Sequence, residues 1–374
     1  MVSRPPGEVG MPLEEIDTPS LVIDLDAFEK NLQAMAIAVA GTGIHLRPHA
    51  KTHKSPVIAL RQIALGAVGI CCQKVSEAEA MVYGGVRDVL ITNEIVGRNK
   101  LARLAALAKQ ARIAVCADHL RHVEDLEETA SFFGVQLPVL VEVNVGSDRC
   151  GVEPGEPALT LAERISRSRA LRFAGIQAYY GSAQHLREFG ERHAATDRAS
   201  LSLRLTLELL RRHDIACDNV TGGGTGTYNF EADSGVFTEI QPGSYIFMDA
   251  DYGRNLDSDG RPIKNFAHAL FVYTTVMSRP TQERAVVDAG LKALSVDSGM
   301  PFVFGASGVE YVRAADEHGK LTLQSPDRPL SIGDKLLLVP GHCDPTVNLY
   351  DWYVGVRASR VEALWPITAR GAVA

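Results

Sequence analysis

The sequence predicts an α/β fold in two parts, a (β/α)8 barrel of the TIM type followed by an all-β C-terminal domain. Three observations carry this expectation. Between residues 44 and 247, eight short apolar runs alternate with helical stretches. The runs lack a clean apolar–polar alternation, as strands buried on both faces do. After Tyr252 the long helical patterns stop, and turn-punctuated strand-like runs take over. An open doubly wound sheet is the alternative arrangement for the first part.

The eight runs lie at 44–48, 69–73, 88–93, 113–118, 139–145, 173–180, 219–222 and 238–241. Between them, 76–83, 99–110, 156–167 and 186–212 read as helices. Ser76 with Glu79 three residues on matches a capping box. Residues 255–262, NLDSDGRP, read as a turn-rich linker. Beyond it, 269–277, 285–288, 310–314, 335–339, 353–357 and 360–365 read as strands. Turns at 317–320 (EHGK) and 331–334 (SIGD) separate some of them. An earlier strand-like segment, Ser20–Asp24, precedes the barrel and is expected to join the β domain. The expected division is therefore an N-terminal segment 1–25, a barrel 26–254 and a β domain 255–374.

Composition excludes several classes. Of 374 residues, 46% are apolar and 22% charged, which is globular and rules out disorder, coiled coil and collagen-like repeats. No run approaches the 18 or so apolar residues that a membrane span needs. Residues 1–10 are polar with two prolines, so no signal peptide is expected and a cytoplasmic location is. A net charge of −7 argues against nucleic acid or an anionic membrane surface as partner. Cysteines stand at 71, 72, 116, 150, 217 and 343 with no C-x-x-C pair, so a thiolate zinc cluster is not expected. Cys71, Cys72 and Cys116 fall in strand-like runs and read as buried thiols.

Chemistry concentrates where barrel strands end, since catalytic groups in such barrels sit at the C-terminal rim. The first strand runs into RPHAKTHK, residues 47–54. Partial desolvation of Lys51 at that mouth is expected to lower its pKa, leaving a neutral amine able to form a Schiff base. Surface charge is the plainer account of the same segment. The seventh strand runs into TGGGTG, 221–226, and the eighth into QPGSY, 241–245. Loops after these two strands are the usual phosphate position, with glycine N–H groups and the hydroxyls of Thr225 and Ser244 as donors. A Schiff-base lysine facing a phosphate loop points to pyridoxal 5′-phosphate.

Other rim residues follow the same logic. Arg149 in GSDRCG can hydrogen-bond the cofactor's phenolic oxygen or a substrate carboxylate. Tyr179, Tyr180 and His185, after the sixth strand, suit stacking on a pyridine ring or proton transfer, with rim packing as the alternative for either tyrosine. In the β domain, PGHCDPTVN follows the strand 335–339. Read as extended chain, it points His342 and Asp344 to one side and Cys343 to the other. Imidazole plus carboxylate suits a divalent ion such as Mn²⁺ or Mg²⁺. A buried histidine beside a capping aspartate is the alternative.

Taken together, RPHAKTHK, CCQK around Gln73, SDRCG, TGGGTG, TEIQPGSY and PGHCDPTVN resemble the fold-type III pyridoxal-phosphate enzymes. More narrowly they resemble the D-threonine aldolase and D-serine dehydratase family, from Thr18 to Trp365. The resemblance implies an alanine-racemase-like barrel with a β domain. It makes Lys51 the Schiff-base lysine, Arg149 the partner of the phenolic oxygen, and Tyr179 the stacking residue. Gln73, Gly223, Gly224, Thr225, Gly243, Ser244 and Tyr245 become cofactor contacts. Gln241 falls where the racemases carry an arginine facing the pyridine nitrogen, and Tyr180 where some aldolases have histidine.

His342 and Asp344 match the metal ligands of the aldolase branch, and His185 a histidine that acts close to the metal. The dehydratase branch resembles H-x-C at that point, so H-x-D leans to the aldolases. The implied reaction is cleavage of a D-3-hydroxy-amino acid, D-threonine giving glycine and acetaldehyde. A 3-hydroxyaspartate aldolase releasing glyoxylate is one rival, favoured by VVDAGLKALSVDSGMPFVF at 286–304. A D-serine or D-3-hydroxyaspartate dehydratase is another, and a non-catalytic cofactor carrier a third. The resemblance also implies a homodimer.

Overall fold

The computed structural model describes residues 4–327 and 329–374; residues 1–3 of the expected N-terminal segment lie outside it. Eight parallel strands form the first sheet: β2 (His45–Leu46), β3 (Ile70–Cys72), β4 (Asp88–Glu94), β5 (Arg112–Ala117), β6 (Leu137–Glu142), β7 (Leu171–Ala178), β8 (Val220–Gly222) and β9 (Glu239–Ile240). Their order is β2-β9-β8-β7-β6-β5-β4-β3. The two ends of this order meet. His49 bridges Cys71 in parallel register, and the N–H groups of Val68 and Cys71 donate to the carbonyls of Leu46 and Pro48, each at 2.9 Å. The sheet therefore closes into a barrel, and the open alternative falls. Pro48 fits this seam because its carbonyl still accepts from Cys71 while only its own donor is lost.

The central runs of β3 to β6 are apolar because both of their faces are covered. Ile70, Cys72, Val89, Ile91, Val115, Val139 and Val141 pack against the helical layer. Their alternate neighbours Cys71, Leu90, Cys116 and Leu140 form a separate small cluster on the barrel side. The helices are α1 (Leu25–Val39), α2 (Pro56–Ala64), α3 (Val75–Tyr83), α4 (Arg98–Leu107), α5 (Leu120–Phe133), α6 (Glu156–Ser166), α7 (Phe189–Arg212) and α8 (Tyr228–Asp233). Their starts obey local chemistry. Asp24 accepts from Ala27 N–H at 3.0 Å to cap α1, and Pro56 opens α2 where its missing donor costs nothing.

The expected capping box at Ser76 is not what starts α3. The helix begins one residue earlier, and the Ser76 hydroxyl instead accepts from Ala374 N–H at 3.1 Å. Glu79 pairs with Arg103 across to α4. The carboxylate that closes this turn is Glu77, which accepts from Gln73 N–H at 2.6 Å.

The second sheet runs β13 (Val309–Ala314), β14 (Gly319–Leu323), β11 (Arg284–Val287), β10 (Leu270–Thr281), β1 (Ser20–Asp24), β16 (Trp352–Arg357), β17 (Arg360–Pro366). Off that path, β15 (Lys335–Val339) pairs with β10, and β12 (Phe302–Val303) with β15. β1 lies antiparallel to β10 and parallel to β16, with Val22 opposite both Phe271 and Val354. Strands β12 and β14 were not foreseen. The EHGK segment is only half a turn, since Gly319 and Lys320 already begin β14.

One apolar cluster fuses α1, the barrel strands β2 and β9, and the second sheet. Phe28 sits at its middle, fully buried, with ring centroids 6.2 Å from Phe247 and 5.7 Å from Trp365. Truncating such a ring costs about 3–5 kcal/mol, so this joint is stiff. Stiffness matters because functional groups from both sheets meet at the barrel rim.

Candidate active site

The barrel's C-terminal rim opens on a cavity of about 350 Å³. Lys51 reaches it from a single helical turn, Ala50–Thr52, directly after β2. His49 builds that turn. Its Nδ1 accepts from Lys51 N–H at 3.2 Å, so Nε2 carries the proton and donates to Thr92 Oγ1 at 3.0 Å. Burial, then the charge of Lys51, holds His49 well below the usual histidine range, so it is neutral and structural. The other cations of RPHAKTHK point elsewhere. Arg47 binds Glu239 at 2.9 Å and Asp88 at 2.7 Å, Lys54 binds Glu77 at 3.1 Å, and His53 is buried.

The Lys51 ammonium is ion-paired with Asp344. This corrects the expected fall in its pKa. Burial does work against the charge, but the Asp344 carboxylate outweighs it and holds Lys51 above the usual lysine range. The same pair, with His342, holds Asp344 at about 2 against the opposing effect of burial.

Among the cavity's other walls are Gly224, Thr225, Gly243 and Ser244. Gly243 is required by close approach: a Cβ there would lie 2.7 Å from Thr52 Oγ1. Gly223 lies just outside the lining at φ +70°, and a Cβ on it would meet the Glu231 carboxyl carbon at 3.0 Å. Thr225 Oγ1 is buried with no partner, a donor held ready beside this glycine turn. Such an orphan hydroxyl in a glycine cradle, facing a lysine, fits the phosphate and aldehyde ends of pyridoxal phosphate.

Arg149 lies over the Tyr179 ring, 5.8 Å from its centroid, and 3.9 Å from Glu142. Ser147 ties their two loops, accepting from Gly181 N–H at 2.7 Å and donating to Tyr179 O at 3.1 Å. Gln73 and Gln241 also line the cavity. Gln241 exchanges amide hydrogen bonds with Gln177 at 2.8 and 3.1 Å and donates to Thr221 at 2.7 Å, so a neutral network stands there. Tyr245 does not reach the cavity. It is buried, and its hydroxyl accepts from Gln62 at 3.1 Å, so it belongs to the core. Tyr180 is half-buried, packs against the barrel's apolar cluster, and is not part of the lining.

His342 and Asp344 lie behind Lys51. The segment is not extended as expected, because Cys343–Val347 forms a short helix with His342 as its N-cap. The helical turn still keeps the pair together, His342 Nε2 lying 4.0 Å from Asp344 Oδ1, while Cys343 is buried and donates to Met248 O at 3.6 Å. Asp297 holds His342 Nδ1 at 2.8 Å, which aims Nε2 toward Asp344. Asp344 Oδ1 is buried and unpartnered. An imidazole with a carboxylate behind it, facing an orphan carboxylate oxygen, fits a divalent cation. A different donor set, Glu94, Asp118 and Cys150, lies within 4.8 Å of itself at the ends of β4, β5 and the loop after β6.

His185 lines the cavity from the turn Ser182–His185, its Nδ1 2.5 Å from Asp251 Oδ2. Asp251, Asp249 and Asp297 were missed by sequence reasoning. The signal for the first two was there, an acidic pair (MDAD) within a dozen residues of the last barrel strand. Among the described residues no helix is long and apolar enough to cross a membrane.

With this geometry in place, likeness to known proteins is informative. The model of the alanine racemase N-terminal domain family matches residues 23–251, and a serine dehydratase domain model matches 269–356. The chain is 47% identical to a 3-hydroxy-D-aspartate aldolase of Paracoccus denitrificans over 370 residues, 98% of this chain and 95% of the relative. It is 48% identical to a D-threonine aldolase of an Arthrobacter species over 367 residues, 98% of this chain and 96% of the relative. The crystal structure of D-threonine aldolase from Filomicrobium marinum superposes with a TM-score of 0.95 at 50% identity, over the whole of both chains.

Proposed function

The chain belongs to the alanine racemase N-terminal domain family, alongside the aldolases it matches along nearly its whole length, and from that premise we propose that it cleaves D-3-hydroxy-amino acids into glycine and an aldehyde. The observation that carries this reading is the Lys51–Asp344 contact, which joins the cavity lysine to a metal-like pair on the short helix after β15. Lys51 would hold the cofactor's aldehyde carbon, and Thr225, Ser244 and the glycine turn its phosphate. His342 and Asp344 would hold a divalent ion, Mn²⁺ or Mg²⁺. When bound, pyridoxal phosphate supplies the electron sink for breaking Cα–Cβ, and the metal a Lewis acid for the β-hydroxyl.

The chain's own residues do the rest. Arg149 grips an anionic oxygen of cofactor or substrate. Tyr179 would stack against the cofactor, and the uncharged Gln241–Gln177 network would add no positive charge to it. His185 takes the proton of the β-hydroxyl as the carbon–carbon bond breaks. Asp297 keeps His342 in the ligating tautomer. The working unit we propose is a homodimer, with the division near residue 254 separating barrel and β domain.

The nearly equal likeness to both aldolases keeps D-threonine and D-3-hydroxyaspartate as candidate substrates. A panel of D-threonine, D-3-hydroxyaspartate and D-serine with Mn²⁺ present tests the proposal. Glycine with acetaldehyde or glyoxylate is expected. Ammonia with a keto acid, and no glycine, would mean elimination and overturn it.

A further inference from the structure

We propose that Asp251 is the positioning residue of His185, fixing the imidazole as its Nδ1–H tautomer so that Nε2 faces the cavity as the proton acceptor. This rests on the reading of His185 as the base for the substrate hydroxyl.

The geometry leaves the imidazole little choice. Asp251 is almost fully buried, and its Oδ2 lies 2.5 Å from His185 Nδ1. Its Oδ1 accepts from Arg187 at 2.5 Å and from Arg254. Burial works against the Asp251 charge, but hydrogen bonds from His185 and Arg187, with Arg254 beyond, hold its carboxyl well below the usual range. An ionised carboxylate can only accept, so Nδ1 must donate. In the neutral imidazole Nε2 is then bare, on a ring that lines the cavity.

The surroundings resist rotation of either partner. Arg187 also donates to Asp251 O and to Asn255 Oδ1, each at 2.8 Å, and Arg254 to Ser298 O at 2.8 Å. Asn255 in turn donates to Gln184 O at 2.8 Å, beside the histidine. Arg192 grips the carbonyls of Leu186 and Arg187 at 2.8 and 2.7 Å. Two guanidinium groups share the carboxylate, so it orients His185 while its charge is spread over three partners.

The same short segment also holds the metal-like pair. Ala250 N–H donates to Pro340 O at 3.0 Å, Asp251 N–H to Gly341 O at 3.2 Å, and Asp249 Oδ2 accepts from Cys343 N–H at 3.1 Å. One stretch of chain, 249–251, therefore sets both the aim of His185 and its placement relative to His342 and Asp344. A misplacement on the order of 1 Å at such a site costs about a hundredfold in rate.

The test compares Asp251→Asn, His185→Gln and the double variant in the Mn²⁺-loaded holoenzyme. Asp251→Asn is expected to lower kcat by about 10²–10⁴-fold, with KM within roughly threefold. Asp251→Glu is expected to recover part of that loss. The double variant is expected to be no slower than His185→Gln alone, because one residue acts through the other. Equal loss from Asp251→Asn in both backgrounds would overturn the proposal, as would an unchanged kcat in Asp251→Asn while His185→Gln is inactive. If His185→Gln keeps full activity, the base assignment fails on its own account. A second measurement stands apart from all variants of Asp251: ¹⁵N NMR of the wild-type holoenzyme, with the His185 signal identified by its loss in His185→Gln. Protonation at Nδ1 is expected in the neutral ring, and an Nε2–H tautomer would overturn the proposal even if no Asp251 variant folds.

Discussion

Lys51 and Asp344, 293 residues apart in the chain, form one ion pair at the cavity rim. Each is a proposed ligand for a different group, Lys51 for pyridoxal phosphate and Asp344 for a metal. Their contact makes the two sites neighbours and lets substitution separate them. Lys51→Ala is expected to abolish the visible absorption of bound pyridoxal phosphate and to cut activity at least about 10³-fold. Asp344→Asn is expected to keep that absorption while losing metal-dependent turnover. Spectra of the two purified variants check both, and a visible band surviving in Lys51→Ala would remove Lys51 as the anchor.

Chelation followed by dialysis is expected to lower activity by more than about a hundredfold, with recovery on adding Mn²⁺. Asp297→Asn weakens the hold on His342 Nδ1. It should raise the Mn²⁺ concentration giving half-maximal activity by about 10–100-fold without changing the rate at saturation. Metal titrations of both proteins provide the measurement, and full activity after exhaustive chelation contradicts the metal assignment.

Gly223→Ala places a side chain at φ +70° and crowds the Glu231 carboxyl. A left-handed conformation costs an L-residue about 1–2 kcal/mol. The variant is expected to melt about 1–3 °C lower and to bind pyridoxal phosphate more weakly. Gly190→Ala, in α7 with open space around it, serves as the control and should melt at or above the wild-type temperature.

Burial raises the Glu231 carboxyl from 4.5 to about 8, against hydrogen bonds from Thr227 at 2.7 Å and from its own backbone N–H. The folded state therefore binds a proton that the unfolded chain releases above about 4.5. Stability from this group is complete below that value and is lost as pH rises toward 8, by at most about 1.4 kcal/mol per unit. Glu231→Gln keeps an acceptor for Thr227 and removes the titration. Its melting temperature relative to wild type is expected to rise steadily from pH 5 to 8, and a flat difference across that range refutes the assignment.

Much of the fold was legible because buried parallel strands announce themselves. Runs such as Val89 to Thr92 or Val139 to Val143 have no exposed face to vary. Strands β12 and β14 were not legible: one is two residues long, and the other opens on Gly-Lys inside a turn-like string. That Lys51, Arg149, His185, Gly224 and Thr225 line one cavity follows from their places at strand ends. The sign of the Lys51 shift could not be read in the same way, because it depends on the carboxylate of Asp344, in the short helix that follows β15. Tyr245 was misplaced because a motif fixes a residue's backbone and not its rotamer; Ser244 turns to the cavity while its neighbour turns to the core. Asp251 lay in plain view, but only its contacts with His185 and two arginines give it a task.

β1 ends at Asp24, while its partners β10 and β16 begin only at Leu270 and Trp352, so β1 leaves the ribosome long before either. At about 5–20 residues per second, a nascent chain carries that strand unpaired for roughly 12–50 s before residue 270 emerges. Ser20 to Ile23 are all buried once paired, on both faces of the strand, so the delay exposes an edge that invites wrong partners. The folding of this enzyme is then expected to be dominated by long-range closure and to depend on chaperones that shield this strand.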